Sequence, residues 1–451
     1  IKCIEDEIPF EVPEGWAWCK LNDIYNFIDY RGATPTKITN GIPLVTAKNV
    51  KSGYIDYTID DYISEEEFKE RQQRGISKKG DILFTTEAPL GNAALADMEK
   101  FSAGQRLITF QQYGSKNELI NYVMLMFILS DFFQQQLYVN KTGSTVAGIK
   151  AAILKTLWIP VPPYNEQLRI SNTLKSAINL IDSISKNKEI LSTSISNTKS
   201  KILDLAIRGK LVPQDPNDEP ASVLLERISA EKEELIKQGK IKRDKKESVI
   251  FKGDDNSYYE KLPDEKINCI DKQLPFELPD GWKWCNLSMI GTTNIGLTYR
   301  PADIDTQGII VLRSCNIVND RINRTDLVRV KTSIRENQFV QKDDILICAR
   351  NGSRSLVGKC ALIPELAEKV SFGAFMAVYR TPYFSYIVHF LRSNFFRSVF
   401  DDSNSTAINQ LTQDMLKRAV VPLPPLAEQL RIVDKITELF ERLNCIEESL
   451  N

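Results

Sequence analysis

Acid–base, nucleophilic and metal chemistry each need particular side chains held close together, and this chain offers few of them. Its single histidine, His389, lies in the apolar run Tyr386-Ile387-Val388-His389-Phe390, where a packed structural role is expected rather than a triad or metal site. The eight cysteines show no CxxC or other zinc-like spacing, so neither a disulfide framework nor a metal site is indicated. No Gly-x-x-x-x-Gly-Lys-Ser/Thr string is present, which leaves phosphate-loop ATP hydrolysis unsupported. Asp81 and Glu87 could serve as nuclease carboxylates, but Asp81 opens a β-prone run that the chain repeats at Asp344, and this favours a fold landmark. An amino-methyltransferase would need a glycine-rich cofactor loop and an Asp- or Asn-Pro-Pro-aromatic string whose polar side chain holds the target amine. Val161-Pro162-Pro163-Tyr164 imitates the string with valine at the polar position, and Leu423-Pro424-Pro425-Leu426 loses the aromatic as well. Tandem prolines that end a strand and set up a helix explain both strings, with Glu166 and Glu428 near the positive end of the helix dipole. On the residues alone, the chain has no assignable catalytic centre, metal site or cofactor loop.

The polar side chains that remain suit binding. Base readout needs paired donors and acceptors, whereas a grip on phosphate needs cations, small hydroxyls or backbone donors on loops. Candidates for DNA contact in the first half are Arg31, Thr34 and Lys37, then Thr46, Lys48 and Asn49, then Gln105 and Arg106, then Lys141, Ser144 and Thr145. In the second half they are Thr298 and Arg300, then Arg313, Ser314 and Asn316, then Arg350, Asn351 and Arg354, then Asn404, Ser405 and Thr406. The alternative for every one of these loops is ordinary solvated surface. A formal net charge of −1 means that any DNA contact is local, and leaves acidic surface for protein partners.

The elements that must position these loops form a repeat. Ile8-Pro9-Phe10-Glu11-Val12-Pro13-Glu14-Gly15-Trp16 returns 266 residues later as Leu274-Pro275-Phe276-Glu277-Leu278-Pro279-Asp280-Gly281-Trp282. Pro160-Val161-Pro162-Pro163-Tyr164-Asn165-Glu166-Gln167-Leu168-Arg169-Ile170 returns 262 residues later as Pro422-Leu423-Pro424-Pro425-Leu426-Ala427-Glu428-Gln429-Leu430-Arg431-Ile432. Solenoid periods run about 20 to 50 residues, so this period is that of a whole domain. Between the anchors the copies diverge but keep landmarks: Asn49 answers Asn316, Asp81 answers Asp344, and Gly104 answers Gly373. Matched ends with diverged middles point to one scaffold that reads two different things.

Within each copy, β-prone runs are expected at 41–45, 53–56 and 81–84, and at 308–312, 344–347 and 375–379. Helices are expected at 118–138 and 385–400. After Pro163, apolar residues keep a three-and-four spacing from Leu174 to Leu205, which predicts a helix of about 40 residues stopped by Gly209 and Pro213. A further helix is expected at 221–238, before the charged tract 240–246. The same spacing resumes after Pro425, so the central and last helices are expected to pack as an antiparallel coiled coil, the alternative being two helices each packed on its own domain. At 451 residues, with 42% hydrophobic and 26% charged, the chain reads as a soluble globular protein of two or three domains. It shows no apolar run of bilayer length, and its first residues lack the pattern of a secretory signal, so a cytoplasmic location is expected by default.

The duplicated Pro-x-Pro-Pro-x-x-Glu-Gln-x-x-Ile and Pro-Phe-Glu-x-Pro-x-Gly-Trp strings, with Leu203-Asp204-Leu205-Ala206-Ile207-Arg208-Gly209-Lys210-Leu211-Val212-Pro213-Gln214, resemble the specificity subunit of Type I restriction-modification systems. The resemblance covers nearly the whole chain. It implies an α+β fold with two tandem target recognition domains joined by long helices that form an antiparallel coiled coil, a pseudo-two-fold internal repeat. The expected divisions are recognition domain 1 at 1–163, a central helical region for spacing and docking at 164–262, recognition domain 2 at 263–425, and a last helix at 426–451. It further implies a non-catalytic subunit that reads a bipartite double-stranded DNA site. Its implied partners are two DNA adenine methyltransferase subunits and restriction subunits, with S-adenosylmethionine, ATP and Mg needed only in those partners. A helical segment equivalent to 201–246 is expected to precede Ile1. Two rival readings stand beside this one: a tandem protein-binding scaffold without a DNA role, and a solitary DNA-modifying enzyme.

Overall fold

The computed structural model describes residues 8–30, 34–58, 60–113, 119–143, 147–239, 248–262, 264–401 and 410–450. The chain divides into two units, Ile1–Ser185 and Lys186–Asn451. Each uses the same topology.

The duplicated strings meet inside each unit. In unit 1 the strand Ala17–Lys20 pairs antiparallel with Trp158–Val161, placing Cys19 opposite Ile159. In unit 2 Lys283–Asn286 pairs with Val420–Leu423, placing Cys285 opposite Val421. A proline supplies no ladder donor and is tolerated at a helix start, so the proline pair ends the strand and the next helix begins at Tyr164 or Leu426. Buried Gln167 and Gln429 tie this corner shut, donating from Nε2 to the carbonyls of Pro162 (2.9 Å) and Pro424 (3.0 Å).

Two further sheets recur in both units, and unit 2 adds a three-stranded sheet of Val249–Lys252, Tyr258–Lys261 and Ile267–Cys269 and the pair Ile317–Val318 with Arg321–Ile322. The four-stranded antiparallel sheet of unit 1 runs Tyr25–Asp29, Leu107–Gln112, Ile82–Thr85, Ala93–Leu95. Unit 2 repeats it as Thr292–Ile295, Met376–Arg380, Ile345–Cys348, Cys360–Leu362. A three-stranded sheet with one parallel pair accompanies each: Ile42–Val45 lies beside Ser102–Ala103, and Ile304–Leu312 beside Val370–Phe372. Gly53 to Asp56 does not form the expected strand and contributes only the isolated bridge between Val50 and Ile55.

Helices pack on the four-stranded sheets. The expected helix at 118–138 is two, Asn121–Leu129 and Asp131–Val139, because the Ser130 hydroxyl accepts from the Phe133 amide and starts a new helix. Ser393 does the same between Phe384–Arg392 and Asn394–Asp401, capping the Phe396 amide at 3.2 Å. The core of unit 1 gathers Tyr25, Phe84, Phe110, Met124, Ile128 and Phe133. That of unit 2 gathers Tyr379, Tyr386, Phe390 and Phe396 with Ile432 and Ile436 of the last helix, Leu426–Glu448.

The long helix runs Tyr164–Ile207 and ends before Gly209, whose φ of 65° suits a residue without Cβ. Within unit 2 its Ile202, Leu203 and Ala206 pack with Ile432, Ile436 and Phe440. Lys199 pairs with Glu447 near the end of the last helix, while Gln214, just beyond the long helix, meets Glu428 at the other's start. The two helices are therefore antiparallel, as their apolar spacing predicts.

Candidate nucleic-acid interface

Landmark residues fix the bases of the candidate reading loops. Asp81 and Asp344 are both buried and accept the amides of Lys78 (2.8 Å) and Gln341 (2.7 Å), closing the turn before the strand. Burial raises the Asp81 carboxyl above its usual range, opposed by the Lys78 amide and the Gln111 carboxamide. Gly104 and Gly373 donate their amides to Val45 and Leu312 (2.7 and 2.9 Å), and a Cβ on Gly104 would come within 3.2 Å of the Thr46 backbone.

Asn49 and Asn316 belong to this framework and not to the reading surface, which corrects the expectation from sequence. Both are buried, at 3% and 1% exposure. Asn49 accepts from the Thr46 amide and hydroxyl and donates to the Asp56 carbonyl. Asn316 accepts from the Arg313 amide and donates to the carbonyls of Asn323 and Asp326. A buried side-chain amide that replaces backbone partners in a turn is held away from bases.

In unit 1 Thr34, Gln105, Arg106 and the loop of Lys141 come together from separate segments, while no contact joins Lys37 or Lys48 to them among the described residues. Thr34 donates its hydroxyl to Gln105 (2.9 Å), and Arg106 pairs with Glu87 (3.1 Å). Gly148 bridges to both Glu87 and Thr142, bringing the loop that contains Lys141 to the same end of the sheet. Lys141 lies over the exposed ring of Tyr138, Lys37 pairs with Asp61, and Lys48 is exposed.

Unit 2 assembles a comparable set with different chemistry. Asn351 donates to the Ser314 hydroxyl at 3.3 Å, joining the two loops. The guanidinium of Arg350 lies over Phe375, 5.6 Å from the ring centroid, and the Phe375 carbonyl accepts from the amides of Ala349 and Arg350. Arg313 is turned aside to Asp326 (2.8 Å), while Thr298, Arg300 and Arg354 are exposed. Arg31, Ser144, Thr145, Asn404, Ser405 and Thr406 lie outside the described residues.

Two residues at these loops escaped the list of DNA contacts drawn from sequence. Phe375 is 62% exposed, although its place in an apolar run reads as strand; the strand begins one residue later, at Met376. Glu87, which from sequence was weighed only as a nuclease carboxylate, holds Arg106.

Among the described residues, no group of three His, Cys, Asp or Glu side chains could hold a metal ion. His389 lies edge-on to Phe440, and burial, helped by the Arg392 charge, lowers its pKa to about 3. No described helix is long and apolar enough to cross a membrane.

A family profile described as the Type I restriction modification DNA specificity domain matches twice, over residues 13–192 and 279–451. The chain belongs to this DNA specificity family. Its relatives include the specificity subunits of the Type I restriction enzymes EcoAI and EcoEI of Escherichia coli, 28% and 26% identical; each match covers 98% of this chain and 80% of the relative. The fold is shared with solved proteins at 16% identity. A chain from a structure of complex assembly and conformational transition in the type I R-M system superposes with a TM-score of 0.61 over 98% of this chain and 94% of that one. The HsdS subunit from Thermoanaerobacter tengcongensis gives 0.51 over 99% and 94%. The two matched regions are the tandem DNA specificity domains of this family, and the long helix Tyr164–Ile207 begins within the first and runs beyond its end.

Proposed function

We propose that this chain is the non-catalytic subunit that gives a Type I restriction-modification complex its DNA sequence, each unit reading one half of a bipartite double-stranded site. The observation that carries the reading is the pair of loop clusters. Glu87 and Arg106 stand in unit 1 where Arg350 and Phe375 stand in unit 2, and beside them Thr34 meets Gln105 in one unit while Asn351 meets Ser314 in the other. One frame with two side-chain sets is what two half-sites require, because base identity is read by side chains and not by the backbone frame.

The helices that join the units would set the gap between halves and dock two adenine methyltransferase subunits, with restriction subunits completing the complex. S-adenosylmethionine, ATP and Mg would be held in those partners, where the chemistry occurs. A complex acting on chromosomal DNA fits a cytoplasmic location.

Co-expression with the cognate methyltransferase, followed by mapping of N6-methyladenine, tests the reading. The expected result is a bipartite motif with a fixed gap, and a contiguous motif or none would overturn it. Arg350→Ala is expected to relax one half of the motif by about 1–3 kcal/mol of discrimination while leaving assembly intact. Equal losses on both halves would remove Arg350 from the reading surface.

A further inference from the structure

In unit 2 three of the candidate segments are tied to a single turn, Gly373–Met376, closed by the Met376 amide on the Gly373 carbonyl (2.8 Å). The Leu297 amide, one residue before Thr298, donates to the Phe372 carbonyl at the entry to the turn (2.6 Å). The Gly373 amide donates to the carbonyl of Leu312, one residue before Arg313 (2.9 Å). The Ala349 and Arg350 amides both donate to the Phe375 carbonyl (2.9 and 3.0 Å). Gly296 lets the segments approach, since a Cβ there would come within 2.2 Å of the Gly373 carbonyl oxygen. The turn is thus the hub of these loops, and the side chain it turns outward is Phe375, 62% exposed.

The Arg350 guanidinium lies over that ring, and no described carboxylate pairs with it. The Arg350 backbone is fixed on its other side as well, through the bridge to Gln410 and the Leu411 amide on the Ala349 carbonyl (2.7 Å). An exposed ring beside an unneutralised guanidinium, both on a backbone already held in place, loses little freedom on binding. Unit 1 makes the same turn. Its Leu107 amide donates to the Gly104 carbonyl and its Thr86 amide to the Arg106 carbonyl (both 3.1 Å), so Arg106 stands where Phe375 does and Glu87 where Arg350 does. The tip of the turn changes from charged to apolar while the backbone bonds that hold it stay.

On the base edges that B-DNA exposes in the major groove, the apolar group is the C5 methyl of thymine, whereas the arginine fork matches O6 and N7 of guanine. One base step is about 3.4 Å. A ring and a guanidinium 5.6 Å apart therefore reach neighbouring base pairs. We infer that Phe375 is a specificity-determining residue of unit 2, its ring packing against a thymine methyl in the base pair next to the guanine that Arg350 reads. The inference rests on the proposed reading of DNA and adds the base chemistry of one half-site.

The test removes the methyl and nothing else. In the half-site that Arg350→Ala relaxes, each thymine is replaced in turn by deoxyuridine, and the duplexes are titrated with the chain assembled with its methyltransferase. One replacement, directly beside the guanine that Arg350→Ala no longer distinguishes, is expected to weaken binding about fourfold, the worth of one buried methyl group. Phe375→Ala is expected to bind the thymine and deoxyuridine duplexes alike. Phe375→Leu, which keeps an apolar side chain, is expected to restore the preference, and neither variant should alter recognition of the other half-site. Both keep the backbone carbonyl that holds the Arg350 amide, so the turn is retained. Three results would overturn the inference. The first is a half-site with no thymine that responds. The second is a responding thymine that does not adjoin an Arg350-dependent guanine, including the case in which Arg350→Ala relaxes neither half. The third is a Phe375→Ala complex that responds to deoxyuridine as the parent does, which would make the ring a prop for Arg350 or a wedge indifferent to the methyl. Each of these leaves a bipartite motif intact, whereas a motif that is not bipartite would overturn the underlying reading as well.

Discussion

The two units answer the same structural demands with different partners. At the turn before the central strand, each places a buried aspartate whose carboxylate accepts a backbone amide. In unit 1 the oxygen that accepts the Lys78 amide also accepts from neutral Gln111, whereas in unit 2 Arg380 binds Asp344 through two contacts of 2.7 Å. On the helix packed behind, matched through the capping serines Ser130 and Ser393, Met126 of unit 1 is answered by His389 of unit 2. The loops diverge further still. The frame is therefore held by a few backbone-directed groups, and the side chains around them change while the strand order stays.

The largest test of this contrast is removal of the two aspartates. Asp344→Ala leaves the Arg380 guanidinium half-buried without its carboxylate and is expected to destabilise unit 2 by about 3 kcal/mol. Asp81→Ala removes only neutral hydrogen bonds, and burial already disfavours the charged carboxylate there, so a loss of about 1–2 kcal/mol is expected in unit 1. Hydrogen exchange read separately on peptides of each unit measures both. Equal losses would mean that the turn amide, and not Arg380, dominates.

The histidine sets the next difference. Its folded pKa of about 3 lies below the ordinary value of 6.5, so the unfolded chain takes up the proton first as the pH falls. The stability it permits is complete above pH 6.5 and is lost on acidification from there toward pH 3. At about 1.4 kcal/mol per pH unit, unit 2 is expected to lose about 2 kcal/mol more than unit 1 between pH 6.5 and pH 5. His389→Met, which installs the residue of unit 1, is expected to abolish the extra loss. Urea midpoints recorded across that range, with exchange assigning the unit, check it, and an unchanged acid slope in the variant would clear His389 of the effect.

What the sequence made legible follows from how local each signal is. The proline pairs predict the strand they end and the helix that follows, and both form in each unit because the constraint is written in adjacent residues; that the Trp-bearing openings supply the partner strand was not legible, since the pairing spans more than 130 residues. The long helix was legible from its apolar spacing and from Gly209. The breaks at Ser130 and Ser393 were not, since a single serine inside an apolar run signals a cap only once its hydroxyl is seen to accept an amide. Asn49 and Asn316 looked like base readers because a polar amide in a loop has the same sequence signature whether it faces DNA or its own turn; burial separates the cases. Phe375 was hidden for the opposite reason, an exposed aromatic that continues the pattern of a buried strand.

The smallest expected effect concerns the loops themselves. Arg106 and Glu87 are each about half exposed, so their pair contributes little to stability, on the order of 0.5 kcal/mol or less. Its consequence lies in charge: Glu87 offsets the one arginine that the described part of this cluster presents, whereas Arg350 in unit 2 rests on an aromatic ring that leaves its charge intact. Glu87→Gln is therefore expected to leave the thermal midpoint unchanged. It should tighten binding to the first half-site about two- to threefold, with a salt dependence steeper by up to about one phosphate contact. Binding to the second half-site should not move. If Glu87→Gln bound both halves as the parent chain does, Arg106 would not face DNA, and the loops of the two units would differ in shape rather than in the charge they present.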